Sequence, residues 1–201
     1  MDYKNLLFNI DIPPVSAPAP GALLVSEPFL REEYFNHAVI SLVEYEPGKS
    51  AMGVVLNNKT DYKLQDLVEG ITVTEPIPVF CGGPVGEDRL FFIHTLGDLI
   101  PDTQPMSNGL WIGGDFDAML KIVNDRYELD GNIRFFVGYS GWEAGQLEGE
   151  LARNVWTVAE MPESPHQLLR GTGDAAWHNI VRSLGADYRG WLYHPQNPMV
   201  N

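Results

Sequence analysis

The sequence predicts an α+β fold. Three observations carry this expectation. Five apolar segments of strand length precede residue 96, helix-type periodicity concentrates after residue 115, and neither βαβ alternation nor an internal repeat joins the two parts.

In chain order, Leu6, Leu7 and Ile10 lie at helical spacing and predict a short amphipathic helix over residues 1–12. Pro13, Pro14, Pro18 and Pro20 then impose an extended linker, because proline fixes φ and cannot donate a backbone hydrogen bond. Residues 1–20 are therefore read as an arm and linker, and 21–201 as a single domain. Strands are expected at residues 22–26, 38–45, 52–57, 77–81 and 89–95. Glu46-Pro47-Gly48-Lys49-Ser50 reads as the hairpin turn between the second and third. A short helix is expected at 64–69 and a strand at 110–112, before Gly113-Gly114.

Asp115 is placed to cap a helix over 116–124 that turns Met119, Leu120 and Val123 inward. Residues 133–139 form the most apolar strand, expected at the centre of the sheet. Leu147, Leu151 and Val155 recur every four residues, which predicts a helix over 144–153, followed by an exit strand at 155–159. Ser164 and Asp174 suit the caps of two C-terminal helices, the second carrying Trp177, Ile180, Val181 and Leu184.

The densest chemistry lies in Gly138-Tyr139-Ser140-Gly141-Trp142-Glu143-Ala144-Gly145-Gln146-Leu147-Glu148-Gly149-Glu150. It reads as a strand end, a bend at Gly138 to Gly141, and a carboxylate-bearing helix. With Gly53-Val54-Val55-Leu56-Asn57, and Gly82-Gly83-Pro84-Val85 followed by His94, it resembles the AlgH/YqgE family of bacterial proteins. Gly21-Ala22-Leu23-Leu24, Pro28, Phe35 and Trp156 fit the same pattern. The resemblance spans roughly residues 21–187 and implies a barrel-like β-sheet surrounded by helices. It also implies a transcription-regulator label, with no established reaction.

Composition narrows the function classes. The chain has 201 residues, 44% of them hydrophobic and 20% charged, as in an ordinary globular protein. No apolar run approaches the ~20 residues that span a bilayer. The N-terminus lacks a secretory pattern, and the single cysteine, Cys81, suits a reducing compartment, so a cytoplasmic location is expected. A net charge of −14, with 13 basic residues scattered among 27 acidic ones, argues against direct nucleic-acid binding. A regulator of this composition is expected to work through a protein partner or a small ligand, as a monomer or homodimer.

Six residues are ligand-binding candidates: Asn57, His94, Trp142, Gln146, Glu148 and Glu150. On a helix, Glu143, Gln146 and Glu150 share a flank, where carboxylates serve acid–base chemistry or complement the helix dipole. Asn57 reads as a turn former or, in the sharper hypothesis, shares one pocket with His94 and Gln146 near Trp142. His94 suits a base, a metal ligand or a satisfied core group.

The other histidines, His37, His166, His178 and His194, show no metal-like spacing, so no metal is expected. No nucleotide-binding glycine motif occurs, and no cofactor is expected. Gly82-Gly83-Pro84 reads as a sharp turn, and Cys81 as a small buried hydrophobe rather than a nucleophile. Ser140 misses the nucleophile-elbow spacing by one residue. No catalytic residue is assigned. A non-enzymatic binding or regulatory module is the favoured reading, and an enzyme using Glu148 or Glu150 with His94 is the alternative.

Overall fold

The computed structural model describes Ile12, Pro14 and residues 16–193. The expected helix at residues 1–12 lies, apart from Ile12, outside the described residues, as does His194. Ile12 itself is buried in the core.

The fold is mixed α+β, with a strongly curled and largely antiparallel sheet and several helices. Strands β1 (Leu23–Ser26), β2 (Val39–Glu44) and β3 (Ala51–Val55) form an antiparallel meander. The turn between the last two is the expected one, with Gly48 at a positive φ. Next come β4 (Lys59–Lys63), helix α1 (Leu64–Leu67), β5 (Pro78–Cys81) and β6 (Val85–His94). Two-residue strands β7 (Gln104–Pro105) and β8 (Trp111–Ile112) precede helix α2 (Phe116–Asn124). The Asp115 carboxylate caps α2 by accepting from the Ala118 amide at 2.7 Å.

Strand β9 (Ile133–Trp142) is the hub. One edge pairs with β6, while the other pairs in parallel with β5 through Phe135 and, further along, antiparallel with β3 through Trp142. Helix α3 (Gln146–Ala152) follows, then β10 (Trp156–Ala159), which returns to pair with β1. Helices α4 (Pro165–Arg170) and α5 (Gly173–Ser183) and a 3₁₀ helix (Asp187–Tyr193) complete the described chain.

Apolar groups are buried on both faces of the sheet, which explains why its strands read as near-continuous apolar runs. Alternate residues divide between the faces, as a period of two requires. Leu23, Val25, Val39 and Phe136 pack with Trp177, Val181, Tyr188 and Trp191 of the C-terminal helices. Leu24 and Ile40 pack instead with Trp142, Leu147 and Trp156. Phe135 and Val79 join Met119 and Val123 of α2.

Three expectations need correction. First, residues 138–141 are not a bend: β9 runs through them to Trp142. Gly138 has a φ of 69°, and the ladder to β6 shifts register between Val85 and Leu90. A Cβ at Gly138 would overlap the Gly83 carbonyl oxygen, and one at Gly82 would overlap the Gly138 carbonyl. These glycines bring two backbones together, and the chain turns later, at Gly145. Second, Thr172 occupies the cap position of α5, so Asp174 lies in its first turn. Third, β4 pairs with β5 although Lys59-Thr60-Asp61-Tyr62-Lys63 carries no apolar alternation. It is an exposed edge, where polar residues are the rule.

Candidate functional site

The Trp142 to Glu150 segment closes on itself. Glu150 lies one helical turn beyond Gln146 on α3, and its carboxylate takes three donors. Oε2 accepts from the indole N–H of Trp142 at 2.8 Å and of Trp156 at 2.7 Å. Oε1 accepts from the Gln146 amide at 2.9 Å. The Gln146 carbonyl oxygen accepts from the Glu143 backbone amide, so both ends of this side chain are engaged. The two indoles meet edge to face with centroids 6.3 Å apart, and Phe35 stands edge-on to Trp156.

Glu148 leaves the same helix in another direction. Its Oε1 accepts from the Gly48 amide at 2.8 Å and from the Tyr45 hydroxyl at 3.2 Å, tying α3 to the β2–β3 turn. The Gly48 amide holds this carboxyl below the usual carboxylate range. Four of the six candidates are thus joined through α3, in a clasp whose polar groups largely satisfy one another.

The other two stand elsewhere. His94, at the end of β6, is fully buried. Its Nδ1 lies 3.1 Å from the Leu96 amide, which donates to it, so the proton sits on Nε2 and faces the Gly113 carbonyl and the Thr103 hydroxyl, both at 3.0 Å. Burial pushes its pKa down and favours the neutral ring. Asn57, at the end of β3, accepts from the Val39 amide and donates to the His37 and Gly173 carbonyls. The Gly173 amide returns a bond to the Asn57 carbonyl. Asn57, His94 and Gln146 share no hydrogen-bond partner, and the structure does not bring them around one cavity.

Cys81 is half-buried at the end of β5, its thiol raised by burial and directed at the Gly83 carbonyl. Ser140 is buried and donates to the Gly82 carbonyl at 3.0 Å. His37 pairs with Asp174 at 2.9 Å. Among the described residues, no group of three or more His, Cys, Asp or Glu side chains is placed to hold a metal ion.

A cleft of about 530 Å³ opens on a part of the molecule that the motifs do not mark. Pro78 and Phe80 of β5, Ile133 to Phe135 of β9, the loop after α2 and the end of α4 line it. Arg134 is its unusual member. This cation sits near the start of β9 with 5% of its surface exposed, and no carboxylate forms an ion pair with it among the described residues. Nη1 donates to the Leu56 and Gly171 carbonyls at 2.7 Å each, and Nη2 donates to the Leu169 carbonyl.

The Phe80 ring lies 4.0 Å from the guanidinium carbon, a cation–π contact. Desolvation lowers the guanidinium pKa to about 10, opposed by Asp130, so the group remains charged at neutral pH. Together Arg134 and Asn57 fasten the loop over residues 169–173 to the end of β3. Asn57 itself does not line the cleft.

Sequence reasoning passed over Arg134 because it counted among scattered basic residues. Its signal was present: a single cation inside the apolar run of residues 133–137. A charge within a fully buried strand demands a local reason that a surface charge does not.

The geometry defines a class: a curled-sheet α+β protein whose glycine- and carboxylate-rich motif forms a structural clasp, with a cation-bearing cleft elsewhere on the molecule. The chain belongs to the AlgH-like family, whose sequence profile matches residues 23–189. It is 40% identical to a UPF0301 protein of Parabacteroides distasonis, with 99% of this chain and 98% of that protein aligned. A UPF0301 protein of Bacteroides thetaiotaomicron is 38% identical, with 92% of each covered. Among solved structures, the solution structure of AlgH from Pseudomonas aeruginosa superposes with a TM-score of 0.67 at 26% identity, covering 90% of this chain and 98% of that one. A crystal structure from Corynebacterium diphtheriae gives 0.72 at 23% identity, covering 94% and 97%, a likeness of fold. No helix among the described residues is long and apolar enough to cross a membrane.

Proposed function

We propose that the protein is a non-enzymatic binding and regulatory module that takes a small ligand in the Arg134 cleft and acts through a protein partner rather than by gripping DNA. The observation that carries this reading is the cleft itself. Its volume falls within the range of small-molecule sites, and it combines an apolar wall of Ile77, Phe80, Leu129 and Phe135 with charged residues that can fix a ligand's orientation. The net charge of −14 favours a protein or small-molecule partner over a nucleic-acid backbone.

The enzyme alternative is less well supported. A general base needs a lone pair within reach of substrate, and both ring nitrogens of His94 are engaged in the core. The Glu150 carboxylate is already shared by three donors.

A protein-observed NMR screen with small uncharged fragments tests the reading. Shifts are expected to cluster on the amides of Val73, Ile77, Leu129 and Phe135. Shifts confined to the Trp142–Glu150 region, or none at all, would overturn it.

A further inference from the structure

The polar inventory of the cleft points to a more specific ligand. We infer that the cleft holds an amphipathic monocarboxylate, its carboxylate on Arg134 and its apolar tail against Phe80, Ile77 and Leu129; this rests on the cleft being the binding site.

The first argument is the guanidinium's own donor count. Arginine carries five N–H groups, and carbonyls of the protein take three of them here, two on Nη1 and one on Nη2. The Nε hydrogen and the second Nη2 hydrogen have no acceptor among the described residues. Arg134 lines the cleft, so these two donors are open to a ligand oxygen there. Two donors on one planar group suit the two oxygens of a carboxylate.

The second argument is the local charge. Four of the chain's 13 Lys and Arg residues line the cleft, against three of its 27 Asp and Glu. Of the four, only Arg170 forms an ion pair, with Asp130 at 3.2 Å. Lys59, Arg126 and Arg134 have no such partner among the described residues. In so acidic a protein this cleft is a local well for an anion. The three acids, Glu75, Glu128 and Asp130, oppose a second negative charge, which favours a carboxylate over a phosphate dianion.

The third argument is the wall. Ile77, Phe80, Leu129 and Phe135 surround the charge with apolar surface, so a small hydrophilic anion would leave them uncovered. Each methylene that such a tail buries adds to the affinity by leaving water.

Four eight-carbon probes of differing head group separate these ideas: octanoate, octanol, octyl phosphate and octyltrimethylammonium, titrated into the full chain at one ionic strength. NMR shifts of the Ile77, Leu129 and Phe135 amides report the dissociation constant. Octanoate is expected to bind at least tenfold more tightly than octanol, with octyl phosphate between them and the cation weakest. Arg134→Lys keeps the charge but not the planar donors, and is expected to lose most of the octanoate preference while still binding octanol. If that variant does not fold, the ranking of probes on the unmodified protein remains a complete test.

Equal binding of octanoate and octanol, or tighter binding of octyl phosphate, overturns the carboxylate assignment and leaves the cleft as a site. Failure of all four probes to move these amides removes the site itself.

Discussion

The clasp around Glu150 and the cleft around Arg134 each place one charged side chain among aromatic rings, yet they use it oppositely. Glu150 gathers three donors from its own chain, two of them indoles that would otherwise be buried without acceptors. Arg134 meets three carbonyls and keeps two donors in reserve. Both oxygens of Glu150 are engaged, whereas Glu148 Oε2 on the same helix and two donors of Arg134 are not. The dense local motif is thus spent mostly on contacts within the chain, whereas the single cation in an apolar strand is where the ligand is proposed to bind.

The comparison breaks most sharply at Trp142. Its ring is 5% exposed and packs with Leu24, Ile40, Leu147 and Trp156. Trp142→Ala should lower stability by about 3–5 kcal/mol, measured by urea denaturation. An unchanged midpoint would mean that the clasp does not hold the fold.

Next in size is the carboxylate. Glu150→Ala leaves the Trp142 and Trp156 N–H groups without their shared acceptor and should cost about 2–4 kcal/mol. Glu150→Gln retains an accepting oxygen and should cost about 1 kcal/mol. Equal losses in the two variants would show that packing, not hydrogen bonding, is what Glu150 provides. Neither variant should change octanoate binding once corrected for folded protein. A lost affinity would merge the two regions into one site.

The smallest effect concerns His94, which belongs to neither region. Burial lowers its folded pKa from the ordinary value of 6.5, so the unfolded chain binds the proton more readily. Its contribution is therefore complete above 6.5 and drains away as pH falls from there toward the folded pKa. Replacing it by Asn should narrow the stability gap between parent and variant as pH falls from about 7.5 to about 5, read by urea denaturation at each pH. A gap that widened on acidification would require a protonated His94 in the folded state.

Much of the fold was legible because local and tertiary preferences agree there. Asp115 caps α2 and Met119 and Val123 point inward as their spacing requires, while Pro47-Gly48 turns the second strand into the third. Strand β4 was illegible because an exposed edge has no apolar face to pattern. Gly138 misled for another reason. Its positive φ invites a bend, and only the proximity of Gly82 and Gly83 shows that the glycine serves a close crossing inside a continuing strand. The motif around Gln146, Glu148 and Glu150 was visible, but its hydrogen-bond closure depends on Tyr45, Gly48 and Trp156, which lie far away in sequence or beyond the helix.

Strand β9 has a consequence for how this chain is made. It supplies the ladder partner that β3, β5 and β6 all require, yet it begins at Ile133, so a ribosome has already joined all of those strands before the first of its amides exists. At about 5–20 residues per second, the nascent chain spends several seconds with those strand edges unsatisfied. Even then β1 waits for β10, which pairs Ala159 with Leu23. Folding of this protein is consequently a late event in its synthesis, and the lysine-bearing strand β4 leaves one polar rim on the growing sheet while it waits.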